Sequence, residues 1–378
     1  MNPLQGLQEY GQSVWLDYIR RDLLENGELR RLIADDGLRG MTSNPAIFEK
    51  AIAESVLYDG AFASMPERHA DTTARYEHVA IHDIQAAADI LRSVYDATQR
   101  RDGYVSLEVS PYLAHDTNRT LAEARRLWAA VGRENVMIKV PGTPEGIPAI
   151  EQLISEGLNI NVTLLFAREV YELVAEAYVA GLEKRAAAGK DVRHVASVAS
   201  FFISRIDSLV DAQLSARRKS STGAEGERLE SLLGQVAIAN GKLTYERYGQ
   251  IFSGPRWEKL QRQGAQTQRV LWASTSTKNP DYRDVVYVEE LIGPDTVNTI
   301  PPATFDAFRE HGNLRQSLTE NVAAAGETME RLAQAGISMQ DVTAKLLDDG
   351  VRLFAEAFTK LLAAVEQKSA TVAKRASA

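Results

Sequence analysis

The chain has 378 residues, 44% of them hydrophobic, enough to bury a sizeable core in one large domain or two modest ones. A formal net charge of -8 and an isoelectric point near 5.5 argue against a nucleic-acid scaffold, while leaving room for a local basic pocket that receives a small anion. The absence of cysteine excludes disulfides, thiolate nucleophiles and cysteine-bound metals, and fits a reducing compartment.

From the N-terminus onward, Met1–Gly6 shows no basic stretch followed by an apolar run, and no segment reaches membrane-spanning length; cytoplasmic residence without a membrane partner is expected. Short β-prone runs then recur between long amphipathic segments: Ser13 to Tyr18, Leu38 to Thr42, Tyr104 to Val109, Val136 to Val140, Asn159 to Leu165, His194 to Ala199, Val270 to Ser274 and Val297 to Ile300. Helical sequence follows each, as in Thr120 to Val131 and Phe166 to Ala188, so the pattern is a repeated β-then-α unit with a parallel sheet. Eight units predict a closed (β/α)8 barrel in a single domain spanning 1–378. The open doubly wound alternative lacks a Gly-x-Gly-x-x-Gly after its first strand. Two connections, about 46–103 and 206–268, are too long for a minimal unit and read as helical insertions, the second with an exposed polar loop at Arg217 to Glu227. After the eighth strand, the apolar spacing of Val351 to Val365 predicts a helix packed on the barrel, and the Ala-, Lys- and Ser-rich tail from about 368 is expected to fray.

Lys139 ends the apolar run Val136-Met-Ile, with Pro141 as a stop and Thr143-Pro-Glu-Gly146 as the start of a helix. That places an amine at the carboxyl end of a strand, where a poorly solvated pocket favours its neutral, nucleophilic form; the competing reading is an ammonium snorkelling into water. Other polar residues occupy equivalent positions: Asp17 on the first strand, Asn44 after the second, Glu108 on the third, Asn161 and Thr163 on the fifth. Ser200 and Arg205 follow the sixth, Ser274 ends the seventh, and Lys278 lies in its loop. Each has an ordinary structural role open to it: Asn44 as a turn former before proline, Asp17 as a helix cap, Thr163 as a strand residue. Together they supply what lysine chemistry requires: an acid to expel water from a carbinolamine, a base for a hydroxyl proton, and donors to orient a polyol.

Thr42-Ser-Asn-Pro45, Val105-Ser-Leu-Glu-Val109, Ile138-Lys-Val-Pro141 with Glu145-Gly146, Asn161-Val-Thr-Leu-Leu-Phe166 and Ser200-Phe-Phe-Ile-Ser-Arg205 resemble, in order and spacing, the signatures of transaldolases. The likeness runs over about residues 10–365, and the long insertions resemble the larger subgroup. It implies a class I aldolase-type barrel that moves a dihydroxyacetone unit between phosphorylated sugars, a ketose donor and an aldose acceptor, without metal or organic cofactor. By the same resemblance, Lys139 forms the Schiff base with sedoheptulose 7-phosphate and Asp17 takes the C4 hydroxyl proton, releasing erythrose 4-phosphate. Glu108 acts through a water positioned by Thr163, Asn44, Asn161 and Ser200 hold the hydroxyls of the three-carbon unit, and Arg205 binds phosphate. Transfer to glyceraldehyde 3-phosphate then gives fructose 6-phosphate. The loop Trp272-Ala-Ser-Thr-Ser-Thr-Lys-Asn-Pro280 departs from the family pattern of an arginine soon after Ala-Ser, which passes the phosphate contact to Ser274 and Lys278.

Three alternatives stand beside this reading. Fructose 6-phosphate aldolases share the lysine chemistry but carry Gln and Tyr where this chain has Glu108 and Phe202, which assigns Phe202 to the substrate pocket and favours transfer. His78-Val-Ala-Ile-His82 has the one-turn spacing of two metal ligands, yet falls in a helical insertion where a solvated face is expected. The third is a barrel that binds sugar phosphates without reacting. A homo-oligomer is compatible with all of these.

Overall fold

Apolar runs too short to be helices and apolar on both faces can be buried only as central parallel strands, covered by the helices that connect them. The structure, a computed structural model describing residues 2–65 and 71–376, has eight such strands. They are β1 (Gln12–Asp17), β2 (Gly40–Thr42), β3 (Tyr104–Glu108), β4 (Val136–Pro141), β5 (Ile160–Leu165), β6 (Ser197–Phe202), β7 (Arg269–Ala273) and β8 (Thr296–Ile300). Each pairs in parallel with its sequence neighbour, and β8 returns to β1 with Trp15 opposite Thr299, so the sheet closes into the expected barrel with no free edge.

The connections after β2 and β6 are helical. The first holds Pro45–Ala53 and Thr72–Ala97, with residues 66–70 outside the described residues; the second holds Ser204–Arg218, Ala224–Glu230, Val236–Ile251 and Pro255–Gln261. No described helix is long and apolar enough to cross a membrane. The last helix, Met339–Ala376, buries Phe358, Leu361 and Val365 against the body. Past residue 368 the same helix continues, with Val372 buried, Lys368 Nζ donating to the Ser55 carbonyl at 2.7 Å and Arg375 paired with Asp59 at 3.1 Å, ties that alanine-rich composition cannot reveal. Residues 377–378 of that predicted tail lie outside the described residues.

Alternation along β1 sends Ser13, Trp15 and Asp17 the same way, into the barrel. At the lower end, Ser13 and the Trp15 indole donate to Asp102 at 2.7 and 3.1 Å, and Arg269 of β7 pairs with the same carboxylate at 2.9 Å. Burial pushes the Asp102 carboxyl up, but the Arg269 guanidinium and these donors outweigh it and hold the group below the usual range. The barrel floor is thus an internal ion pair. Gly40, opposite Trp15, is required by space: a Cβ there would lie 2.6 Å from the indole ring.

The strand bounds shift by one to three residues from expectation, most in β6, and β5 carries a bulge. β6 begins at Ser197 rather than His194, because the Asn159 side chain accepts from Ala196 N at 2.9 Å and the ladder starts only where Ile160 meets Ser197. Ser200 therefore lies within β6. In β5, register slips between Val162 and Leu165, and Leu164 takes φ +61°, a left-handed conformation rare for leucine. The bulge turns Leu164 toward Gly350 of the last helix, where a Cβ would come within 2.9 Å of it.

Candidate active site

The carboxyl ends of the strands open into a cleft of about 410 Å³. Asp17, Asn44, Lys139, Thr163, Ser200, Phe202, Arg205, Ser274 and Lys278 line it, so nine sequence-predicted residues converge on one surface. Register explains the convergence: Glu108 stands beside Lys139, Lys139 beside Asn161, Pro141 beside Thr163 and Asp17 beside Thr42 on adjacent parallel strands. Leu353, Phe354 and Ala357 of the last helix close one side.

Lys139 is 5% exposed, which removes the snorkelling alternative. Its Nζ donates to the Ser43 carbonyl at 3.0 Å and lies 3.3 Å from Glu108 Oε2. Glu108 itself sits behind the lysine rather than on the cleft wall; burial pushes its carboxyl pKa up, Lys139 opposes this, and the Asp17 charge adds to the rise. Asp17 accepts from Thr42 Oγ1 at 2.7 Å, and Thr42 shares a second 2.7 Å contact with Thr299. Desolvation raises the Asp17 pKa against the pull of Lys139, the Thr42 hydrogen bond, Arg205 and Lys278. Two carboxyls of raised pKa thus flank one amine, an arrangement suited to passing protons to and from it. Thr163 Oγ1 is buried without a hydrogen-bond partner in the protein, while Glu108 Oε2, equally buried, lies against the Lys139 amine.

Asn161 is fully buried and does not line the cleft. Its Oδ1 accepts from Ser200 Oγ at 2.6 Å and its Nδ2 donates to Ser106 Oγ at 2.9 Å, so it orients the Ser200 hydroxyl from behind. Asn44 caps the helix Pro45–Ala53, accepting from Ile47 N at 3.0 Å, which leaves its amide nitrogen for a ligand. The opposite wall is cationic: the Arg205 guanidinium lies 5.2 Å from the Phe202 ring, itself packed on Phe166, and Lys278 at the exposed rim donates to Ser276 at 2.7 Å. Ser274, at φ +56°, shares a 3.0 Å hydroxyl contact with Ser204.

Sequence reasoning passed over Thr42, Ser43, Ser106, Ser276 and Thr299. Ser106 stands two residues before Glu108 on the same strand face and was open to discovery by alternation. Ser43 acts through its carbonyl and carries no side-chain signal. The His78 and His82 pair lies on the helix Thr72–Ala97, and among the described residues no group of three or more His, Cys, Asp or Glu is placed to hold a metal ion.

Residues 14–365 match the family described as Transaldolase/Fructose-6-phosphate aldolase. The chain is 48% identical to Transaldolase 2 of Nostoc sp. strain PCC 7120, over 97% of this chain and 98% of the relative. It is 47% identical to the Transaldolase of Trichodesmium erythraeum, over 97% of each, and 45% identical to that of Thiobacillus denitrificans, over 97% of this chain and 100% of the relative. A barrel whose strand ends gather these residues, matched over nearly its whole length, belongs to the transaldolase/fructose-6-phosphate aldolase family.

Proposed function

We propose that the protein is a transaldolase, transferring a dihydroxyacetone unit from sedoheptulose 7-phosphate to glyceraldehyde 3-phosphate through a Schiff base on Lys139. The observation that carries this reading is the buried lysine amine facing the cleft between two carboxyls of raised pKa. Lys139 attacks the C2 ketone; Glu108, through a water positioned by the unpartnered Thr163 hydroxyl, carries protons into and out of the carbinolamine. Asp17 takes the C4 hydroxyl proton as the C3–C4 bond breaks, and erythrose 4-phosphate leaves. The retained enamine is held by Ser200, oriented by Asn161, and by the Asn44 amide until the acceptor aldehyde arrives; hydrolysis of the new imine releases fructose 6-phosphate. Arg205, Lys278 and Ser274 take the phosphate end, and Phe202 steadies Arg205. The reaction needs no metal or organic cofactor, and the enzyme acts on phosphorylated sugars in the cytoplasm as one catalytic domain.

Borohydride with fructose 6-phosphate should label Lys139, and Lys139→Ala should reduce turnover to background while the circular dichroism spectrum stays unchanged. Near-normal turnover in that variant defeats the mechanism. The Glu108 and Phe202 pattern and the transaldolase names of the relatives favour transfer over lysis. Free dihydroxyacetone as the main product, with acceptor present, would assign the aldolase activity instead.

A further inference from the structure

Arg205 and Lys278 face the same end of the cleft from very different supports. Arg205 stands on the helix Ser204–Arg218, whereas Lys278 lies on a connection between β7 and the short helix Val286–Glu289. An exposed loop of this kind ordinarily holds its side chains loosely. Here it is tied down. Thr277 Oγ1 donates to the carbonyls of Arg283 and Asp284 at 3.1 and 3.0 Å, pinching the loop at its neck. Tyr282, four residues after Lys278, donates its hydroxyl to Asp211 Oδ2 at 2.8 Å, and the other oxygen of Asp211 accepts from Gly234 N at 3.1 Å. One turn earlier on the same helix, Asp207 repeats the pattern, accepting from Tyr287 at 2.9 Å and from Ala237 N at 2.7 Å.

The Tyr282 ring also lies flush against Gly234, where φ is +70° and a Cβ would meet ring carbons at 2.9 and 3.0 Å. The loop is therefore clasped to the helix that bears Arg205, through a glycine that permits the close approach. Neither carboxylate reaches the cleft wall. Two like charges held near one another in a cleft repel unless a doubly charged anion lies between them, and their spacing sets how well it is bound.

We propose that Asp211 and Tyr282, with Asp207 and Tyr287 beneath them, are positioning residues that fix Lys278 relative to Arg205 and thereby set affinity for the phosphate end of the substrates. The inference rests on the phosphate-binding roles of Arg205 and Lys278 given above. Tyr282→Phe removes one hydroxyl from a half-buried site and leaves the ring in place, so folding is preserved.

The test compares glyceraldehyde 3-phosphate with unphosphorylated glyceraldehyde as acceptors at saturating donor, and measures inhibition by inorganic phosphate. Tyr282→Phe and Asp211→Ala should raise KM for the phosphorylated acceptor and the inhibition constant of phosphate by roughly five- to tenfold, the scale of one lost hydrogen bond. In both variants kcat should stay within about twofold of the parent and the unphosphorylated acceptor should be used as before. Asp211→Asn, which still accepts from Gly234 N, should recover part of the loss. Equal losses with both acceptors, or no change in KM, would reduce the clasp to a structural tie and overturn the inference. Lys278→Ala separates the two levels: if it leaves KM for the phosphorylated acceptor unchanged, the phosphate assignment itself falls, and the clasp with it.

Discussion

At the scale of single residues, the site depends on carboxyls whose pKa burial raises and on the few bonds that oppose that rise. Thr42 is one of these: its hydroxyl bonds Asp17 at 2.7 Å and pulls the pKa down against desolvation. Thr42→Val removes that donor, so Asp17 should need a higher pH to ionise. If Asp17 must be a carboxylate to accept the hydroxyl proton, the acid limb of kcat/KM should move upward by about one pH unit, the worth of a charge-assisted hydrogen bond. An acid limb unmoved in a pH–rate profile would show that another group controls it. Lys139 and Asp17 were visible in the sequence as charges at the ends of apolar runs, and the fold brings both to the cleft. Thr42 was not, since a threonine in a strand is ordinary until its partner across the ladder is known. Asn161 illustrates the converse: its identity was conspicuous, but only burial shows that both ends of its amide are engaged by Ser200 and Ser106.

Among the secondary-structure elements, β1, β7 and the turn before β3 meet at the barrel floor through Ser13, Arg269 and Asp102. With Arg269 and Asp102 only 5% and 8% exposed at the side chain, loss of one partner leaves the other charge without compensation. Arg269→Met should destabilise the fold by about 3–5 kcal/mol, seen as a lower midpoint in urea, and adding Asp102→Asn should recover part of it. An unchanged midpoint would mean that water solvates Asp102 in the folded protein. The strand periods announced the barrel, but not this pair, because Asp102 precedes its strand and Arg269 opens another far along the chain. The bulge at Leu164 was hidden for a related reason. Leucine gives no local cause for φ +61°, and the conformation is sustained by the last helix packing at Gly350.

For the molecule as a whole, stability should depend on pH through the clasp between the β6–β7 insertion and the β7–β8 connection. Burial lifts the Asp207 pKa from 3.8 to about 7, against hydrogen bonds from Ala237 N and Tyr287. Because the folded state prefers the neutral acid, its contribution is complete below about pH 4 and is lost as pH rises toward 7. Asp207→Asn cannot titrate. Its unfolding free energy should lose this downward slope, with a gain over the parent of up to a few kcal/mol at pH 8. Parallel pH–stability curves for the two proteins, measured by chemical denaturation, would contradict this.

The eightfold β-then-α rhythm, the lysine at the end of the fourth strand and the motifs around it are local properties, and local sequence was enough to determine the barrel and the identity of its central amine. Which residues face the cleft, which support them from behind, and how the Lys278 loop is held were decided by tertiary structure. Those outcomes depend on register between strands, on a bulge imposed from outside its own strand, and on pairs such as Asp211–Tyr282 and Asp102–Arg269 whose members lie 71 and 167 residues apart. A chain records such partners only through the closed fold, because neither residue has a local reason to be there.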